Sequence, residues 1–148
     1  MEQETSITAA HERHDTIFRK IEEANKTAVF DALAAAGITS VCADFDGEGD
    51  SGGITNVSAY QGNTGVALPT GEVAAHHAEF GNDDPVATQA TLHEAIERVC
   101  YHYLSAEHYG WENDGGGFGV FTFNVATRVV ELEFNARYVE FETTTHEF

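Results

Sequence analysis

The residues most suited to chemistry lie together in Asp44-Phe45-Asp46-Gly47-Glu48-Gly49-Asp50-Ser51-Gly52-Gly53. Carboxylates stand at alternate positions, Asp44, Asp46, Glu48 and Asp50, among glycines. A hard cation such as Ca²⁺ takes six to eight oxygens, and acids on a curling glycine loop supply several. The first half of an EF-hand loop is matched by Asp44, Asp46, Glu48 and Gly49. Its twelfth position, however, is Thr55 in place of a bidentate Glu, and strands rather than helices flank it. That excludes an EF-hand and leaves two readings: another kind of divalent-cation loop, or a hydrated acidic hairpin loop whose glycines supply positive φ.

Other chemistry-bearing strings are weaker. Gly49-Asp50-Ser51-Gly52-Gly53 and Thr8-Ala9-Ala10-His11 resemble pieces of trypsin-like proteases. Yet His11 falls in a helical run, and too short a segment separates it from Ser51 to build two barrels; a triad is defined by geometry, not by strings. The eight histidines include His11/His14 on one helical face, the adjacent pair His76/His77, and His93, His102 and His108 along a helix away from its apolar stripe. None forms a His-Glu-x-x-His pattern, so they read as scattered surface residues. The loop from Trp111 to Gly119 carries Glu112 and Asp114 and opens a strand. It therefore suits phosphate poorly, and its Trp111 reads as a core anchor or as a protein-contact residue.

Near the end of the chain, Glu131 and Glu133 alternate with Val130, Leu132 and Phe134, so they point away from the core. Glu140 and Glu142 repeat the pattern. Acids at i and i+2 of a strand lie about 6.8 Å apart, which offers a basic groove something like a row of phosphates. The partner-binding set expected on this basis is Asp46, Glu48, Asp50, Trp111, Glu112, Asp114, Glu131, Glu133, Glu140 and Glu142.

The whole chain agrees with this emphasis on charge. Its 148 residues hold 25 acids against 7 bases, a formal charge of −18. From Thr27 onward there are nineteen acids and three bases, a local net of −16. So few cations exclude nucleic-acid binding through a broad basic face. Self-repulsion of this size costs stability, so the charge has a use: imitation of a nucleic acid, cation binding, or solubility in a salt-rich cytoplasm. With 42 % hydrophobic residues and ten Phe, the chain is too apolar for a disordered acidic tail. No apolar run approaches the roughly 18 residues of a membrane span. Cys42 and Cys100 read as reduced, buried small hydrophobes. The Met-Glu-Gln-Glu start resembles no signal peptide, and a cytoplasmic location is expected.

The elements that must position these residues follow from periodicity. Helical spacing covers 6 to about 25, capped by Ser6, and about 26 to 36, ending at Gly37; Asn25 is the expected break if the two are one kinked helix. Strands are expected at 38–45 and 54–60, joined by a long glycine-rich loop. Residues 61–86 read as irregular, with a short helix near 73–80. Thr91 and Glu94 form a capping-box pattern before the stripe Leu92, Ala95, Ile96, Val99, Cys100, Tyr103 and Leu104, giving a helix over 92–108. Two strands follow, turning at Ala126-Thr127, and 138–143 extend or add a strand. The expected fold is α+β: an antiparallel sheet of about four strands with helices packed on one face, in the order α(α)ββαββ. The domain reading is one unit, 1–148, with a helical segment 1–37 and a sheet-and-helix core 38–148.

Gly49-Asp50-Ser51-Gly52 after a strand, Gly110-Trp111-Glu112-Asn113 and His146-Glu147-Phe148 together resemble a family of small uncharacterised proteins associated with bacterial plasmids and mobile elements. The match covers most of the chain after about residue 38. It implies no activity and no catalytic residues. It implies a context in which small acidic proteins disarm host nucleases. The functional expectation is a non-enzymatic acidic interaction protein, a nucleic-acid mimic of the antirestriction or anti-CRISPR type, whose partner is a basic nucleic-acid-binding protein. It would bind no nucleic acid or membrane itself and need no cofactor. The alternative is a Ca²⁺ or other divalent-cation module built on Asp44, Asp46, Glu48 and Asp50.

Overall fold

The computed structural model describes residues 2–48, 51–79, 81, 84–112, 116–138 and 140–148, without the side chains of 2–15 and 51. Asp50 and Asp114 of the expected site therefore lie outside the described residues, as do the side chains of His11 and His14.

The chain opens with a single helix α1, Glu2–Ala35. Ser6 is inside it rather than its cap, and the helix runs unbroken through Asn25. The reason is visible at Asn25, which is 8 % exposed. Its amide Nδ2 donates to the His76 carbonyl at 3.0 Å, and its Oδ1 accepts from the His76 N–H at 2.6 Å. A residue that competes for nearby backbone groups in isolation is satisfied here across space. Gly37, at φ +73°, stops the helix as expected. The Gly37 N–H reaches the Ala34 carbonyl, and the Ile38 N–H reaches that of Leu33. These are the two bonds of a Schellman motif, with Leu33 and Ile38 both in the core.

A five-stranded antiparallel sheet follows, built from β1 (Ser40–Glu48), β2 (Ser51–Gln61), β3 (Thr64–Val66), β6 (Gly117–Asn124) and β7 (Val129–Ala136), in spatial order β3-β2-β1-β6-β7. A separate hairpin pairs β4 (Glu72–His77) with β5 (Val86–Thr91). The α+β class and the antiparallel sheet agree with the sequence; the strand number and element order do not. The helix expected near 73–80 is strand β4, held on one side by β5 and clamped by Asn25. Residues 140–148 add no strand and lie exposed.

Helix α2 (Leu92–Glu107) begins where expected, with the Thr91 hydroxyl accepting from the Glu94 N–H at 3.1 Å. Its stripe of Leu92, Ile96, Val99, Cys100 and Leu104 meets Val29, Phe30 and Leu33 of α1 and Val41, Ala43, Phe45, Phe121 and Phe123 of the sheet. Both helices thus contribute to a core on one face of the sheet. Burial raises the Cys100 thiol well above its usual range, with Glu97 adding to the shift, so this cysteine is an inert packing residue. No helix among the described residues is long and apolar enough to cross a membrane.

Candidate functional site

Among the described residues no helix lies over the other face of the five-stranded sheet, and that face carries the acids. Side chains alternate along β1, so Val41, Ala43 and Phe45 go inward while Asp44, Asp46 and Glu48 stand exposed outside. In β7, Leu132 and Phe134 pack inward and Glu131 and Glu133 stand exposed outside. Strand β6 lies between them and presents Phe118 and Val120 outward. Pairing aligns Asp44 with Val120 and Val120 with Glu133, and Asp46 with Phe118 and Phe118 with Asn135. Two rows of carboxylates therefore flank an apolar strip. Neighbours within a row are about 6.8 Å apart, and the rows are separated by two strand spacings, about 10 Å.

This geometry corrects the expected long loop. Strand β1 continues to Glu48, which pairs with Ser51, and Gly47 pairs with Gly52. The glycines serve packing rather than loop flexibility. A Cβ on Gly47 would stand 2.5 Å from the Trp111 ring, and one on Gly52 would stand 2.7 Å from it. Trp111 lies across this pair and meets Phe45 edge-on at 5.5 Å. The indole holds the hairpin from the core side while Glu48 stands exposed. Asp44, Asp46 and Glu48 are consequently spread along a strand, and no three His, Cys, Asp or Glu residues converge on a common point among the described residues.

Arg137 was not singled out from the sequence, and it belongs to this face. Its guanidinium pairs with Asp46 at 2.8 Å, donates to the Gly47 carbonyl at 2.9 Å, and lies 4.8 Å above the Phe118 ring. The face already binds a guanidinium through carboxylate, carbonyl and aromatic ring. Glu140 and Glu142 are exposed but lie beyond β7, off the sheet.

Glu112 is half-buried in the connection after α2, beside Trp111. It helps line a groove of about 360 Å³ with Gly52, Tyr101, Tyr109 and Trp111. Among the described residues the histidines do not gather. His93 meets Glu97 on its own helix at 2.7 Å, and His108 stacks on Phe134 with ring centroids 3.9 Å apart. Contrary to the surface reading, His102 sits in the seam between the helices and stacks on Phe18 at 4.0 Å. Burial lowers its pKa, opposed by the charge of Glu22. Glu22 also accepts from the Tyr103 hydroxyl at 3.1 Å, and burial together with Glu22 raises the tyrosine's pKa.

A family described as one of unknown function (DUF6878) matches residues 21–148. The chain belongs to this family. The matched span takes in the C-terminal part of α1, all of the sheet and both carboxylate rows, and starts before the residue-38 boundary suggested by the loop motifs. No curated protein and no solved structure matches the chain.

Proposed function

We propose that this member of the family is a non-enzymatic interaction protein whose acidic sheet face occupies the basic nucleic-acid-binding groove of a partner and competes there with DNA or RNA. The single observation that carries the reading is the face without a helix over it: Asp44, Asp46 and Glu48 on one side of Phe118 and Val120, Glu131 and Glu133 on the other, with Arg137 already paired to Asp46 above Phe118. Rows about 10 Å apart, each with a pitch near 6.8 Å, give a two-railed negative surface. Carboxylates so close repel one another, and a cationic partner offsets that cost. The apolar strip adds buried area that a purely charged contact lacks. A host-defence nuclease fits this chemistry, and a mobile-element context would give such an inhibitor its use.

The test compares columns carrying the wild-type protein and a Glu131→Lys/Glu133→Lys variant, both loaded with bacterial lysate and eluted with salt. The reading expects nucleic-acid-binding proteins that leave the wild-type column at moderate salt and do not bind the variant. Retention undiminished at high salt, or equal retention by the variant, contradicts it.

A further inference from the structure

We propose that the groove between the end of α2 and Gly52 of β2 is a second site, which takes an arginine side chain from a basic partner. The inference rests on the preceding reading for the sign of the partner's charge; its geometry is independent of the sheet face.

Three aromatic rings and one carboxylate line the groove: Tyr101, Tyr109, Trp111 and Glu112. Aromatic faces attract cations, and Glu112 adds a full negative charge. An anion would meet that carboxylate and is disfavoured. The walls are held in place before any ligand arrives. The Tyr101 hydroxyl accepts from the Ile54 N–H at 2.9 Å, and Trp111 is seated on Gly47 and Gly52. Tyr109, by contrast, is 94 % exposed and stands just before the Gly110 turn at φ +75°. A large aromatic displayed beside a groove is the usual anchor of a contact.

The protein itself shows how it binds a guanidinium. Arg137 sits over a ring, against a carboxylate and a carbonyl, and the groove offers the ring and the carboxylate again. Arginine suits it better than lysine because a planar guanidinium stacks on a ring and still presents its donors in the plane. The groove lies at the Glu48 end of the β1 acid row, since Gly52 lines it and Glu48 pairs with Ser51. The groove opens on the helix side of the sheet and the acid row lies on the other, so a basic segment engages both by passing round the end of the strands.

Trp111 is the sole tryptophan of the chain, so its emission reports on the groove. The experiment titrates blocked hexa-arginine and hexa-lysine peptides into four full-length proteins: wild type, Tyr109→Ala, Glu112→Gln and Glu131→Lys/Glu133→Lys. Emission and heat are recorded together. The expected result is a saturable Trp111 change with hexa-arginine, weaker with hexa-lysine. Tyr109→Ala and Glu112→Gln should each weaken it about two- to five-fold, the size of one exposed cation–π or ion contact. Tyr109 is exposed, so its loss leaves the fold intact, and far-ultraviolet circular dichroism checks this. A silent Trp111, or wild-type binding by Tyr109→Ala, overturns the groove. If heat is lost in the sheet-face reversal while Trp111 stays silent, the groove falls and the sheet-face reading stands. A Trp111 response that survives that reversal supports the groove even where the sheet-face reading fails.

Discussion

Replacing Asn25 by alanine is expected to cost far more than a mid-helix polar residue suggests. The side chain makes two hydrogen bonds to the His76 backbone, at 3.0 and 2.6 Å, and is 8 % exposed. Alanine removes both partners at once and leaves an N–H and a carbonyl of β4 unpaired at a nearly buried site. A single bond contributes roughly 1 kcal/mol net, and each unsatisfied group costs about 1–3 kcal/mol. Alanine's better helix propensity returns at most about 0.7 kcal/mol. Two such groups, less that return, give a loss of roughly 1–5 kcal/mol. With a urea slope near 2 kcal/mol/M, the unfolding midpoint falls by roughly 0.7–2.6 M. Thr27→Ala, exposed on the same helix, is the control and should move stability by no more than about 0.5 kcal/mol. Amide exchange adds a local readout: the His76 N–H should lose protection beyond the global change, because its acceptor is gone. A midpoint within about 0.3 M of wild type, or unchanged protection at His76, refutes the clamp.

Three further expectations concern the same framework. Gly47→Ala drives a Cβ into the Trp111 ring and should destabilise by about 1–3 kcal/mol; a Gly47→Ala/Trp111→Leu double mutant should lose less than the sum of the singles, and strict additivity would show that the two do not touch. His102 has a lowered pKa in the fold, so the unfolded chain binds its proton first. Stability contributed by the neutral ring is therefore complete above about pH 6.5 and is lost as pH falls from there toward the lower folded value. His102→Gln should flatten the difference in urea midpoint between pH 7.5 and 5.5, and an unchanged difference would remove His102 as its source. Millimolar Ca²⁺ should give no saturable rise in Tm beyond an ionic-strength control, because Asp44, Asp46 and Glu48 are spread along a strand; a saturable rise would support the cation module.

What the sequence made legible was local. Helix α2 announced itself through one apolar stripe and the Thr91 cap, and β6 and β7 through strict alternation and the Ala126-Thr127 turn. The outward direction of Glu131 and Glu133 followed from the same period of two. The failures were non-local. Glycine runs resemble loops, and only Trp111, some sixty residues on in the chain, explains why Gly47 and Gly52 continue a ladder. Glu72–His77 lacks strand-forming residues except Val73 and becomes a strand through β5 and Asn25, which no window of sequence joins. Asn25 stood out as a misfit in a helix; its partner across the fold could not be read. Arg137 and the groove beside Tyr109 depend on which strands are neighbours, so composition and spacing carried no signal for them.

If the acidic face occupies the partner's groove as proposed, a nucleic acid cannot be bound there at the same time. The most direct measurement takes a protein retained on the wild-type column, binds it to a fluorescently labelled DNA or RNA duplex, and titrates in the acidic protein while following anisotropy. Complete release of the duplex is expected, weakened by added salt and abolished in Glu131→Lys/Glu133→Lys. A ternary complex in which the duplex stays bound, or equal release by the reversed variant, would contradict it.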